Sequence, residues 1–100
     1  MSDVIYTINQ LKEKLIPVFI DNSIRRAILF GSYGKGSATK ESDIDLLVDS
    51  DLKGLRFVGL IEAIRTAVDK DVDIFDITHV EKGSKIDLEI QKTGVLMYEK

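Results

Sequence analysis

The chain has 100 residues, 44% of them hydrophobic, which suits one compact domain spanning 1–100. It contains no cysteine, so disulfides, thiolate metal sites and thiol nucleophiles are excluded. With 14 basic against 17 acidic residues the net charge is −3, which disfavours long nucleic acid as a partner, since such binding rests on an excess of Lys and Arg.

In chain order, Ile8, Leu11, Leu15, Val18 and Phe19 recur at helical spacing and predict a helix from about Thr7, its cap, to Asn22. Pro17 lies inside this stretch and, lacking an N–H donor, should kink or divide it. Arg25 to Phe30 reads as a strand with the apolar run Ala27-Ile28-Leu29-Phe30. The following Gly31-Ser32-Tyr33-Gly34-Lys35-Gly36-Ser37 is too glycine-rich for a stable helix and reads as a functional turn. Asp43 to Val48 is a second strand, and Leu55 to Asp69 an amphipathic helix with Phe57, Leu60, Ile61, Ile64 and Val68 on one face. Val72 to Ile77 makes a third strand. Ser84 caps a last helix to about Lys92, Gly94 ends it as a left-handed cap, and Val95 to Tyr98 closes the chain as a short strand. The expected fold is α/β (α+β): a small mixed sheet of three or four strands with helices packed on it. The start Met1-Ser2-Asp3-Val4-Ile5 lacks the features of a signal peptide, and no apolar run is long enough to span a bilayer, so a cytoplasmic location without membrane contact is expected.

Asp43 and Asp45 flank one residue of the second strand, so their side chains share a face with Cα atoms roughly 6.5 Å apart. Two carboxylates that close repel unless a cation lies between them, and Mg²⁺ (or Mn²⁺) favours one or two carboxylates plus phosphate oxygens and water. The other reading is a solvated strand end. Gly31-Ser32 emerges directly from the first strand, where successive backbone N–H groups can nest an anion. Ser32 adds a hydroxyl and Lys35 a point charge for a phosphate. Neither familiar phosphate motif fits: a Walker A loop needs glycine where Leu29 stands, and the dinucleotide fingerprint needs a small residue at Thr39.

Gly31-Ser32, ten intervening residues and Asp43-Ile44-Asp45 on a second strand together resemble the signature of the DNA polymerase beta-like nucleotidyltransferase superfamily. Within it the chain resembles the minimal nucleotidyltransferase (MNT) group, short proteins paired with a helical HEPN-type partner in toxin–antitoxin systems. The resemblance also takes in the leading helix, Val72-Asp73-Ile74 and the closing Gly94-Val95-Leu96-Met97-Tyr98. It implies that Gly31 and Ser32 hold the triphosphate of ATP or another nucleotide, and that Asp43, Asp45 and Asp73 ligate metal. Asp73 would also help deprotonate the attacking hydroxyl. Asp71, at the strand entrance, and Asp76, on the opposite face of a regular strand, are its rivals. Where relatives show Ala-Arg-Gly, this chain has Gly34-Lys35-Gly36, which keeps a charge but loses bidentate recognition of phosphate. His79, the lone histidine, reads as a loop or cap residue.

The implied activity is metal-dependent transfer of a nucleoside monophosphate to a hydroxyl. The resemblance implies an antitoxin that acts on, or binds, a HEPN-type partner, with a tyrosine as acceptor. A nucleotide- or partner-binding module without turnover, and a subunit of a small-molecule nucleotidyltransferase, stand as alternatives. The acceptor side is expected from a partner chain, a second copy of this chain, or the target itself.

Overall fold

The computed structural model describes residues 4–100, and the start Met1–Asp3 lies outside them. Helix α1 (Ile8–Asp21) begins at a capping box in which Thr7 Oγ1 accepts the Gln10 N–H at 3.1 Å and Gln10 Oε1 accepts the Thr7 N–H at 2.9 Å. Pro17 does not divide it. The carbonyl that loses its donor belongs to Glu13, which is exposed, so water can take the place of the missing N–H.

Strand β1 (Arg26–Phe30) leads into a single helical turn, α2 (Gly31–Gly34), then strand β2 (Ile44–Asp49), helix α3 (Leu55–Val68) and strand β3 (Val72–Asp76). A 3₁₀ turn (Ile77–His79), helix α4 (Lys85–Thr93) and strand β4 (Val95–Glu99) complete the chain. The glycine-rich segment therefore contains a turn of helix where only an open turn was expected. One turn of helix is marginal alone, and contacts from α4 described below hold it.

The sheet is mixed, ordered β3-β2-β1-β4, with β2 and β3 parallel and β1 antiparallel to both of its neighbours. Register and alternation divide its side chains between two faces. Ala27, Leu29, Ile44, Leu46 and Val48 meet Leu11, Leu15 and Phe19 of α1 and Leu60, Ile64 and Val68 of α3 in one fully buried cluster. Each of these side chains except that of Ala27 contributes about 1.5–3 kcal/mol by leaving water, so this layer supplies the main stabilisation. Ile28, Phe30, Asp45, Leu47 and Asp73 alternate to the other face. There α4 packs on β1 and α2 without burying any of its own residues fully.

Ser84 caps α4 as expected, accepting the Asp87 N–H at 3.2 Å. Gly94 is not a left-handed cap: its φ of −65° and ψ of 134° are extended. Glycine is needed there for space, since a β-carbon would run into the Ile90 carbonyl and crowd Ile28. Among the described residues no helix is long and apolar enough to cross a membrane.

Candidate functional site

The carboxylates are brought together by the parallel pairing of β2 and β3. Asp45 is the register partner of Asp73 on one side and of Phe30, the last residue of β1, on the other. Neighbouring strands run about 4.8 Å apart, so the two aspartates project side by side from one face. Asp43 stands exposed just ahead of β2, with the same parity as Asp45. Asp45 is half-buried, and its carboxyl is pushed up to about 6, first by burial and then by the charge and hydrogen-bonding contact of Asp73, with Asp43 and Glu89 adding to it. The site is short of positive charge.

Among the described residues, no three acidic or histidine side chains are gathered closely enough to cage a metal ion unaided. The donor set nonetheless fits an ion that arrives with phosphate, because Mg²⁺ commonly takes only one or two protein carboxylates and fills its octahedron with phosphate oxygens and water.

Asp76, the rival third carboxylate, faces the other way. It is buried beside Val48, its register partner. One carboxylate oxygen accepts the Ser50 hydroxyl at 2.6 Å and N–H at 3.2 Å, and the other accepts the Thr78 hydroxyl at 2.6 Å and N–H at 3.1 Å. Burial alone would raise this carboxyl, but the bonds from Ser50 and Thr78 outweigh it and hold it below the ordinary range. Asp76 thus ties the end of β3 to the segment after β2. His79 closes the 3₁₀ turn and lines, with Leu52, Phe57 and Thr78, a cleft of about 330 Å³ at that end of the sheet. Asp71 is exposed, and its carbonyl accepts the Ile44 N–H at 3.1 Å.

The Gly31-Ser32 turn lies against the carboxylates. Gly31 has a φ of +73°, and a β-carbon on it would collide with Asp45 Oδ2, so glycine is required both by backbone sign and by space. The Gly31 N–H is engaged within the chain, donating to Thr93 Oγ1 at 2.8 Å. Any anion nest would start from Ser32, which is half-buried, with its carbonyl accepting the Ser37 N–H at 2.9 Å. Tyr33 roots the turn in the core, and Lys35, exposed at its end, donates its N–H to the Gly31 carbonyl at 3.1 Å.

Two residues at this site escape a reading of the sequence. Glu89 and Thr93 sit on a helix whose pattern of charged and apolar residues is that of any surface helix, and only the docking of α4 brings them to Asp45 and Gly31.

Residues 13–100 match the family model "Polymerase beta, Nucleotidyltransferase". The chain is 35% identical over 69 residues to "Putative protein adenylyltransferase MJ0435" of Methanocaldococcus jannaschii, covering 67% of this chain and 74% of that protein. A chain of a toxin–antitoxin crystal structure with AMP-PNP superposes with a TM-score of 0.75 at 26% identity, over 89% of this chain and 73% of its own. A chain from the complex of tri-AMPylated Shewanella oneidensis HEPN toxin with MNT antitoxin superposes at 0.70 and 23% identity, over 93% and 73%.

Proposed function

Because the chain belongs to the polymerase beta nucleotidyltransferase family, we propose that it transfers AMP from ATP to a hydroxyl of a helical HEPN-type partner, a tyrosine, and so acts as that partner's antitoxin. The observation that carries this reading is the pairing of Asp45 with Asp73 beside the Gly31 turn. The partner and the nucleotide follow from likeness to the adenylyltransferase of M. jannaschii and to the solved toxin–antitoxin complexes. Cytoplasmic location goes with such a partner.

In this reading the Ser32 hydroxyl and the turn after Gly31 orient the triphosphate, and Lys35 supplies a mobile positive charge to it. Asp43, Asp45 and Asp73 would supply the carboxylates for Mg²⁺, one or two at a time, with phosphate oxygens and water completing its shell. When bound, the metal neutralises the carboxylates and the charge that develops on the phosphates. The acceptor oxygen forms a bond to the α-phosphorus, the bond from that phosphorus to the bridging oxygen breaks, and pyrophosphate leaves. Asp73, exposed at the rim, takes the hydroxyl proton. Most of the acceleration comes from holding the two reactants in line. Asp43 and Asp73 are both exposed, so the face is open to an acceptor carried by another macromolecule.

The test is intact-mass spectrometry of a HEPN-type partner protein co-expressed with wild type and with Asp43→Ala. The reading expects one or more AMP additions with wild type and none with the variant. An unmodified partner in both cases, with nucleotide still bound by calorimetry, leaves the alternative of a binding module without turnover.

A further inference from the structure

We propose that Thr93 is a positioning residue for the nucleotide-binding turn, setting the distance between Gly31–Gly34 and the carboxylates of β2 and β3. This rests on reading that turn as the element that binds nucleotide.

Both ends of the turn rest on this one residue. Thr93 Oγ1 accepts the Gly31 N–H at 2.8 Å and donates to the Glu89 carbonyl at 2.8 Å, so its two roles as acceptor and donor are both used and its orientation is set. Its own carbonyl lies against Gly34, where a β-carbon would not fit. From the other side, the Asp45 carboxylate leaves no room for a β-carbon on Gly31. The turn is held between α4 and β2. A shift toward β2 drives Gly31 into Asp45 and stretches the bond to Thr93, and a shift toward α4 drives Gly34 into the Thr93 carbonyl.

Sheet register explains why this residue does the holding. β4 pairs with β1 through Leu29↔Val95, and continuing that register two residues brings Gly31 opposite Thr93. Thr93 is still helical, so its backbone cannot extend the ladder. The hydroxyl takes over as acceptor and extends the pairing one step into the turn. Gly94, lacking a side chain, lets the chain pass from α4 into β4 at this closeness.

The experiment measures affinity for a non-hydrolysable ATP analogue with Mg²⁺ by calorimetry, alongside melting temperature, in the full chain. Thr93→Val keeps the shape and removes the hydroxyl, Thr93→Ser keeps the hydroxyl, and Ser32→Ala tests the turn itself. The expected result is a loss of about tenfold in T93V, the size of one well-placed hydrogen bond, with a folded melting profile and recovery to about twofold of wild type in T93S. Unchanged affinity in T93V, with a loss in S32A, overturns the role of Thr93 and leaves the turn's function standing. Failure of wild type to bind the analogue overturns both. Loss that follows the melting temperature and is not restored by serine makes Thr93 merely structural and also overturns the proposal. In the unsubstituted protein, amide exchange by NMR gives a second measurement: Gly31 is expected to exchange slowly, and fast exchange there overturns the clamp.

Discussion

Asp45 stands directly opposite Asp73 in the parallel register of β2 and β3, so the two carboxyl groups share one face of the sheet. Burial and this neighbour hold Asp45 up to about 6, against an ordinary 3.8. A folded carboxyl raised above its unfolded value favours folding fully below pH 4, and that contribution is lost as pH rises through 6. Metal-free protein should therefore lose stability between pH 4 and 7. Asp45→Asn should raise its melting temperature by several degrees at pH 7.5, about 1 kcal/mol after allowing for solvent screening of a part-exposed group, and by almost nothing at pH 4. Added Mg²⁺ with nucleotide should narrow the gap by stabilising the wild type. Thermal melts across this range, with and without metal, check it.

Asp76 should behave in the opposite way. Its carboxyl is held low, so its contribution is present above the ordinary carboxylate range and lost as pH falls below it. Asp76→Ala strands the Ser50 and Thr78 donors and should cost about 2–3 kcal/mol in urea unfolding at pH 7. Its affinity for nucleotide should stay within about twofold, since the side chain lies through the sheet from Asp45.

Gly31 and Gly36 both have positive φ, at +73° and +78°, but only Gly31 is crowded. Gly36→Ala should cost about 1 kcal/mol of backbone strain and little else. Gly31→Ala adds collision with Asp45, so it should cost more than its counterpart and abolish nucleotide binding. Melting temperature and calorimetry on the two variants separate strain from crowding.

In the proposed mechanism Asp73→Asn keeps the shape of the side chain but takes no proton and offers a metal only a neutral amide oxygen. AMP transfer to the partner should fall by at least about a hundredfold while the fold is retained, as read by mass spectrometry over a time course. Lys35→Ala should weaken nucleotide binding only a few-fold, and the difference should shrink at high salt, because the side chain is exposed.

Much of this protein is legible without coordinates because the rules involved act over a few residues. Thr7 and Gln10 close a capping box three residues apart, Ser84 caps its helix at the same spacing, and alternation along β2 buries Ile44 and Leu46 on the face away from Asp45. The order of elements and the Gly31-Ser32 to Asp43-Ile44-Asp45 spacing belong to the same class of information, and they suffice to point to the family. Where a local rule misled, space was the cause: Gly94 is needed for closeness to the Ile90 carbonyl and Ile28 rather than for a left-handed backbone. What tertiary structure alone decided is which groups meet. Thr93 binds Gly31 across sixty-two residues of chain, Glu89 adds its charge to Asp45 from a different element, and Asp76 finds Ser50 across twenty-six. Hydrogen bonding and charge act over a few ångströms of space whatever the separation in sequence, so the capping and strand patterns could be read from neighbours. The clamp on the turn existed only once α4 had docked against β1.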